Sequence, residues 1–178
     1  MHKKVSVQDN FLDKDYFLYL QDQVLSPLFP WTISTVHEQE LSTDDFMMCH
    51  GVCKTENGFL VVQSTIYNEL ERLFEKMGVF ICIRAKINLT QQQQTPLEHP
   101  LHIDCLQAPT EMLTSILYFN TNNGYTRFAD GTITESKENR LVTFPNNMLH
   151  GGAVNTCDVP FRVAMNISWI KNKDNTDA

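Results

Sequence analysis

The chain has 178 residues, of which 42% are hydrophobic and 20% charged, and its formal net charge is −7. These values fit one folded domain with its own core, and they exclude a disordered or fibrous chain. The acidic balance argues against general affinity for a nucleic-acid backbone, and no apolar run approaches the roughly 20 residues of a membrane helix.

In "NFLDKDYFLYLQDQVLSPLFPW", Tyr16, Leu20 and Val24 are spaced four apart with Phe17 and Leu25 beside them, which predicts an amphipathic helix ended at Pro27. "STIYNELERLFEKMG" predicts a second helix, capped at Ser64 and closed at Gly78, with Ile66, Leu70, Leu73, Phe74 and Met77 on one face. From Val79 the period becomes two. "VFICIRAKINL" sets Val79, Ile81, Ile83, Ala85, Ile87 and Leu89 against Arg84, Lys86 and Asn88.

The polar stretch from Thr90 to Pro100 has no strand period and predicts a mobile lid, with His99 exposed. Strand-like runs follow at "LTSILYFN", "YTRFAD", "TITES", "RLVTF", "LHGGAV" and "FRVAMNISWI", separated by turn signals. A helical start followed by many short strands predicts a mainly β fold with N-terminal helices: a jelly-roll barrel, the double-stranded β-helix of cupin-like proteins.

Three places could carry chemistry. In "EHPLHIDC", His102 and Asp104 share one face of an extended chain. They could grip one ion, or simply be polar residues at a strand end. A third ligand is available at His150 in "NMLHGGAV", which also reads as a turn histidine before two glycines. Two histidines and a carboxylate make the facial triad that holds Fe(II) with open positions. On the last strand, Arg162, Ala164, Asn166 and Ser168 share a face. An inward arginine there is costly to bury without an anion, which could be a bound dicarboxylate or an internal acid, unless its head reaches solvent. Cys49, His50 and Cys53 would be half a zinc site, but no second pair completes it. Five cysteines, an odd number, and an N-terminal "MHKKVSVQDN" without an apolar stretch behind it point to reduced thiols and a cytoplasmic setting.

The ordered series His102-x-Asp104, His150 and Arg162 resembles the Fe(II)/2-oxoglutarate-dependent dioxygenases, in particular their prolyl-hydroxylase-like branch and its phage-encoded relatives. "ILYFNTNNGYTRF" and "RLVTFPNNMLHGG" are similar to that branch's central and distal-histidine segments. The resemblance implies one domain, with residues 1–78 as helical support and substrate-side loops, 79–170 as the jelly-roll catalytic core and 171–178 as a polar tail.

It further implies that His102, Asp104 and His150 bind Fe(II) and that Arg162 pairs with the distal carboxylate of 2-oxoglutarate. Oxygen would be the oxidising cosubstrate, ascorbate an optional accessory, and a peptidyl residue such as proline, or a small molecule, the substrate. Many relatives carry a serine where this chain has Ala164, so Tyr118, Asn166 and Ser168 stand as candidates for the second contact to that carboxylate. Asn88 and Thr126 would line the pocket, with Tyr125 beside Thr126. A cupin-like jelly roll with a non-oxidative or purely binding role is the alternative.

Overall fold

The computed structural model describes residues 5–34, 47–106, 109 and 111–171. The stretch 35–46 and the tail from 172 lie outside the described residues. Strand β1 (Ser6–Gln8) leads to helix α1 (Lys14–Leu25), then β2 (Thr32–Ser34), β3 (Met47–Glu56) and β4 (Phe59–Val62). A 3-10 helix (Thr65–Leu70) runs into α2 (Glu71–Met77), and β5 (Val79–Gln91) follows. The rest is strand: β6 (Met112–Tyr118), β7 (Tyr125–Phe128), β8 (Ile133–Glu135), β9 (Leu141–Pro145), β10 (His150–Ala153) and β11 (Phe161–Lys171). No described helix is long and apolar enough to cross a membrane.

Two antiparallel sheets form a jelly roll. The large sheet has the order β1-β9-β6-β11-β5-β3-β2, with β4 also pairing to β3, and the small sheet has the order β10-β7-β8. Both helices cover the outer face of the large sheet. Leu20, Val24, Leu70 and Leu73 are fully buried there against Ala85, Ile87, Leu117, Val163, Met165 and Ile167. Each such leucine contributes about 1.5–3 kcal/mol by leaving water. A smaller cluster of Ile116, Tyr118, Phe128, Val142, Phe144 and Ala164 fills the space between the sheets.

The predicted first helix forms, with its stripe of Tyr16, Phe17, Leu20 and Val24 buried. The second differs. The Ser64 side chain accepts from Ile66 N, but the first six residues wind as a 3-10 helix, and only the last seven are α-helical before the left-handed cap at Gly78. Ile66 and Leu70, near the two ends of the 3-10 stretch, are buried all the same.

The first 78 residues are more than helical support, since they supply four strands. β3 pairs with β5 in the middle of the large sheet, and its hairpin to β4 turns at Asn57–Gly58, both at positive φ. Asn-Gly is the dipeptide such two-residue hairpins favour.

Strand β5 departs from simple alternation. Arg84 faces Ser168 and Cys82 faces Trp169 across the ladder to β11, so Ile83 is an extra residue, a bulge. On its C-terminal side Ala85 and Ile87 enter the core; on its N-terminal side Cys82 is buried and Ile81 is exposed, the reverse of the strict alternation expected.

The stretch from 90 to 100 is also not a free lid. Thr90 and Gln91 complete β5, and the backbone beyond is bonded to the 152–160 segment: Gln92 N to Pro160 O, Gln93 N to Asn155 O, Val154 N to Leu97 O, and His99 N to Gly152 O.

Candidate metal and anion site

His102 and His150 are brought together by a bridge between their backbones, each N–H donating to the other's carbonyl at 2.9 and 3.1 Å. Gly151, next to His150, makes this approach possible. A Cβ there would stand 2.8 Å from the carbonyl oxygen of His99 and 3.1 Å from that of Pro100. One ligand atom from each of His102, Asp104 and His150 can be chosen so that all three lie within 4.8 Å of one another. Among the described residues no other group of His, Cys, Asp and Glu gathers in this way.

The hydrogen bonds prescribe which atoms are offered. His102 Nδ1 lies 3.3 Å from the Pro100 carbonyl oxygen, and His150 Nδ1 lies 3.0 Å from that of Met148. A carbonyl only accepts, so each Nδ1 carries the proton and each Nε2 keeps its lone pair. The two Nε2 atoms lie 3.7 and 3.6 Å from the Asp104 carboxylate. The buried Nε2 of His150 and Oδ2 of Asp104 have no hydrogen-bond partner among the described residues. Orphaned buried polar atoms cost on the order of 1–3 kcal/mol each. Two imidazole lone pairs converging on a carboxylate repel unless a cation lies among them.

Arg84 donates to the other carboxylate oxygen, Oδ1, at 2.9 Å. Burial pushes the Asp104 carboxyl up, but Arg84, together with His102 and His150 whenever their imidazoles are charged, outweighs it and holds the group well below the usual carboxylate range. The donor set therefore fits a divalent transition metal of the Fe(II) type, with sites left for other ligands.

This triad opens on a cavity of about 750 Å³ between the sheets. Arg84, Lys86, Asn88 and Thr90 line it from β5, and Arg162 and Asn166 from β11. Arg162 is buried, its Nε donating to Ser136 Oγ at 2.7 Å and its Nη2 to Thr126 Oγ1 at 3.3 Å. No carboxylate among the described residues pairs with it, so the internal salt bridge considered for it is absent from these. Gly124 leaves room for its stem: a Cβ there would meet Arg162 Cδ at 2.7 Å.

Thr126 lines the cavity, as expected, and so do Asn88 and Asn166, joined at 3.4 Å. Tyr118 does not. Its ring lies under the Arg162 guanidinium at 5.3 Å and its hydroxyl bonds Thr126 Oγ1 at 2.8 Å, so it supports the arginine from behind.

Ser168 and Asn166 are poor second contacts for a carboxylate on Arg162. They lie six and four residues along the same strand, about 20 and 13 Å at roughly 3.3 Å per residue. Ser168 stands opposite Arg84 and is not part of the cavity lining. His99 was expected to be exposed but is buried on the cavity wall. Tyr125 donates instead to Glu98.

Thr90 was overlooked. It lies opposite Arg162 in the ladder, with a buried hydroxyl that has no partner among the described residues. Its position two residues past Asn88 on the polar face was the signal. The zinc half-site does not form, because His50 Nδ1 donates to Pro30 O at 3.0 Å and Cys53 Sγ lies 3.5 Å from Cys82 Sγ.

No protein-family model matches the sequence, and a comparison with curated proteins gave no match. Solved structures do match. A prolyl-4-hydroxylase from Pseudomonas putida superposes with a TM-score of 0.63 at 14% identity, over 96% of this chain and 94% of that one. An oxidoreductase of the 2OG-Fe(II) oxygenase family from Burkholderia pseudomallei gives 0.65 at 12%, over 94% and 85%. A prolyl hydroxylase from Trichoplax adhaerens, in complex with a peptide fragment of the oxygen degradation domain of hypoxia inducible factor, gives 0.60 at 12%, over 99% and 89%. At such identities the likeness is one of fold, and the fold is that of the 2OG-Fe(II) oxygenases, prolyl hydroxylases among them.

Proposed function

We propose that this chain, with the fold of those oxygenases, is an Fe(II)- and 2-oxoglutarate-dependent dioxygenase that hydroxylates a peptidyl residue such as proline, or a small molecule. The observation that carries the reading is the pair of imidazole Nε2 atoms converging on Asp104, with His150 Nε2 and Asp104 Oδ2 buried and unpaired. His102, Asp104 and His150 would hold the metal, and Arg162 would hold the distal carboxylate of the cosubstrate. When bound, Fe(II) and 2-oxoglutarate supply the oxidising chemistry, in which decarboxylation to succinate and carbon dioxide is coupled to attack on a substrate C–H bond.

The chain's own residues do the positioning. The carbonyls of Pro100 and Met148 fix both imidazoles in the tautomer that presents Nε2. Arg84 occupies Oδ1 of Asp104 and so directs Oδ2 inward. Ser136 and Thr126 aim the Arg162 fork, and a guanidinium fork matches a carboxylate in a bidentate way. Ile103 and Ile116 give the cavity apolar wall that keeps water from the reacting carbon.

A cupin-like protein with another use for its metal would have no need of a buried arginine facing the same cavity without an acid partner, and that favours the oxygenase. The test is anaerobic addition of Fe(II) and 2-oxoglutarate. The expected result is a visible charge-transfer band that His150→Ala abolishes; its absence from the parent protein at saturating additions would remove the reading.

A further inference from the structure

Among the described residues, Lys86 is the one cation of the cavity to which neither the fold nor the proposed chemistry gives a role. It projects from β5 between Arg84 and Asn88 on the cavity side, its neighbours across the ladders being Gly51 and Asn166. No hydrogen-bond or ion-pair partner reaches it among the described residues. Arg84 is bonded to Asp104, and Arg162 is assigned to the cosubstrate, but Lys86 has only the unbonded attraction of Asp104.

We infer that Lys86 recognises an anionic group, carboxylate or phosphoryl, on the molecule that is oxidised. The inference rests on the oxygenase reading and names the substrate class for that same site. Charge balance supports it. Among the described residues the walls carry Arg84, Lys86 and Arg162 against the carboxylate of Asp104. A divalent metal and a dianionic cosubstrate cancel each other, so the described residues of the loaded cavity keep a surplus of two positive charges. A cavity of that sign attracts anions and rejects cations.

Position separates this anion from the cosubstrate's distal end. Lys86 is four residues from Thr90, the residue opposite Arg162, or about 13 Å along the strand at roughly 3.3 Å per residue. It is only two residues from Arg84, which touches the metal ligand Asp104. A substrate anchored at Lys86 would therefore lie beside the metal and away from the arginine. The room exists, since a cavity of about 750 Å³ exceeds what a five-carbon diacid fills. Burial, followed by the like charge of Arg84, already pushes the Lys86 ammonium below its usual range, so an arriving anion would relieve an existing strain.

The test is a calorimetric titration of the full chain, loaded anaerobically with Fe(II) and 2-oxoglutarate. The probes are inorganic phosphate, acetate, and acetamide as an uncharged control. Phosphate or acetate should bind and acetamide should not, and the stronger of the two anions identifies the group. Lys86→Gln should weaken that anion at least tenfold while leaving Fe(II) and 2-oxoglutarate affinities within twofold. Lys86→Arg should retain the anion, and Arg162→Gln should lose 2-oxoglutarate instead.

Three results would overturn the inference. One is a loaded parent that binds no anion. Another is Lys86→Gln binding it equally well. The third is Lys86→Gln losing 2-oxoglutarate as far as Arg162→Gln does, which would place Lys86 in the cosubstrate site. A parent protein that binds no 2-oxoglutarate at all would take the oxygenase reading down as well, and that titration is read separately.

Discussion

Arg162 illustrates how much a single side chain can decide. Its stem passes the gap left by Gly124, its Nε and Nη2 are spent on hydroxyls, and its charge has no carboxylate within reach among the described residues. Arg162→Met should therefore weaken 2-oxoglutarate by the loss of a buried charge pair, on the order of 2–5 kcal/mol, with Fe(II) affinity nearly unchanged. Titration of each ligand separately checks this; equal losses of both would make the arginine structural. His102, Asp104, His150 and Arg162 were legible in the sequence because their chemistry is scarce and their order is distinctive. Lys86 and Thr90 were not, although they stand on the same polar face, because only the assembled cavity shows which side chains have partners.

Among the elements, the contact between the 98–102 segment and β10 carries the metal site. Glu98 bridges to Ala153 and His102 to His150, and Gly151 admits the carbonyls of His99 and Pro100. Gly151→Ala should force the two backbones apart. The expected cost is about 1–3 kcal/mol of stability, typical of an overpacked site, together with a metal affinity reduced at least tenfold. A melting curve and a metal titration of the same variant test it, and unchanged metal binding would mean the bridge does not place the ligands.

Strands β5 to β11 were readable from alternation, composition and turn signals. β3 and β4 were not recognised, although Asn57–Gly58 signals their hairpin, because "MMCHGVC" lacks a clean period. Its phase is broken at Val52, the residue without an opposite number between the Gly51–Lys86 and Cys53–Ala85 pairs. The 3-10 start of the second helix was equally hidden, since Ile66 and Leu70, four apart, have the spacing of an α-helical stripe.

At the scale of the molecule, closure depends on pairings far apart in sequence, and the N-terminal strand shows what ties the ends. β1 lies against β9, and Asp9 just beyond it meets Arg140 Nε at 2.6 Å and Lys137 Nζ at 2.8 Å. Arg140 and then Lys137 hold the Asp9 carboxyl well below the usual carboxylate range, with burial opposing only weakly. A depressed carboxylate stabilises the fold fully above its ordinary pKa, near 3.9, and loses that contribution as the pH falls through the window below it. The group is more than a third exposed, so Asp9→Asn should cost only about 0.2–1 kcal/mol at pH 7. The gap between variant and parent should close as the pH drops below 4, as melting curves at pH 7, 4 and 3 would show; a constant gap would mean that Asp9 acts through shape alone.

The bulge at Ile83 has a consequence for chain length. Removing that one residue would close this break in the ladder without turning either half of β5 over: Cys82 would still enter the core and Arg84 the cavity. Deleting any single residue between Arg84 and Thr90 would carry part of that row to the wrong side of the sheet. Homologous chains that differ by one residue in this region should therefore place the gap at 83, and an alignment that places it among the cavity residues would misassign the cationic row.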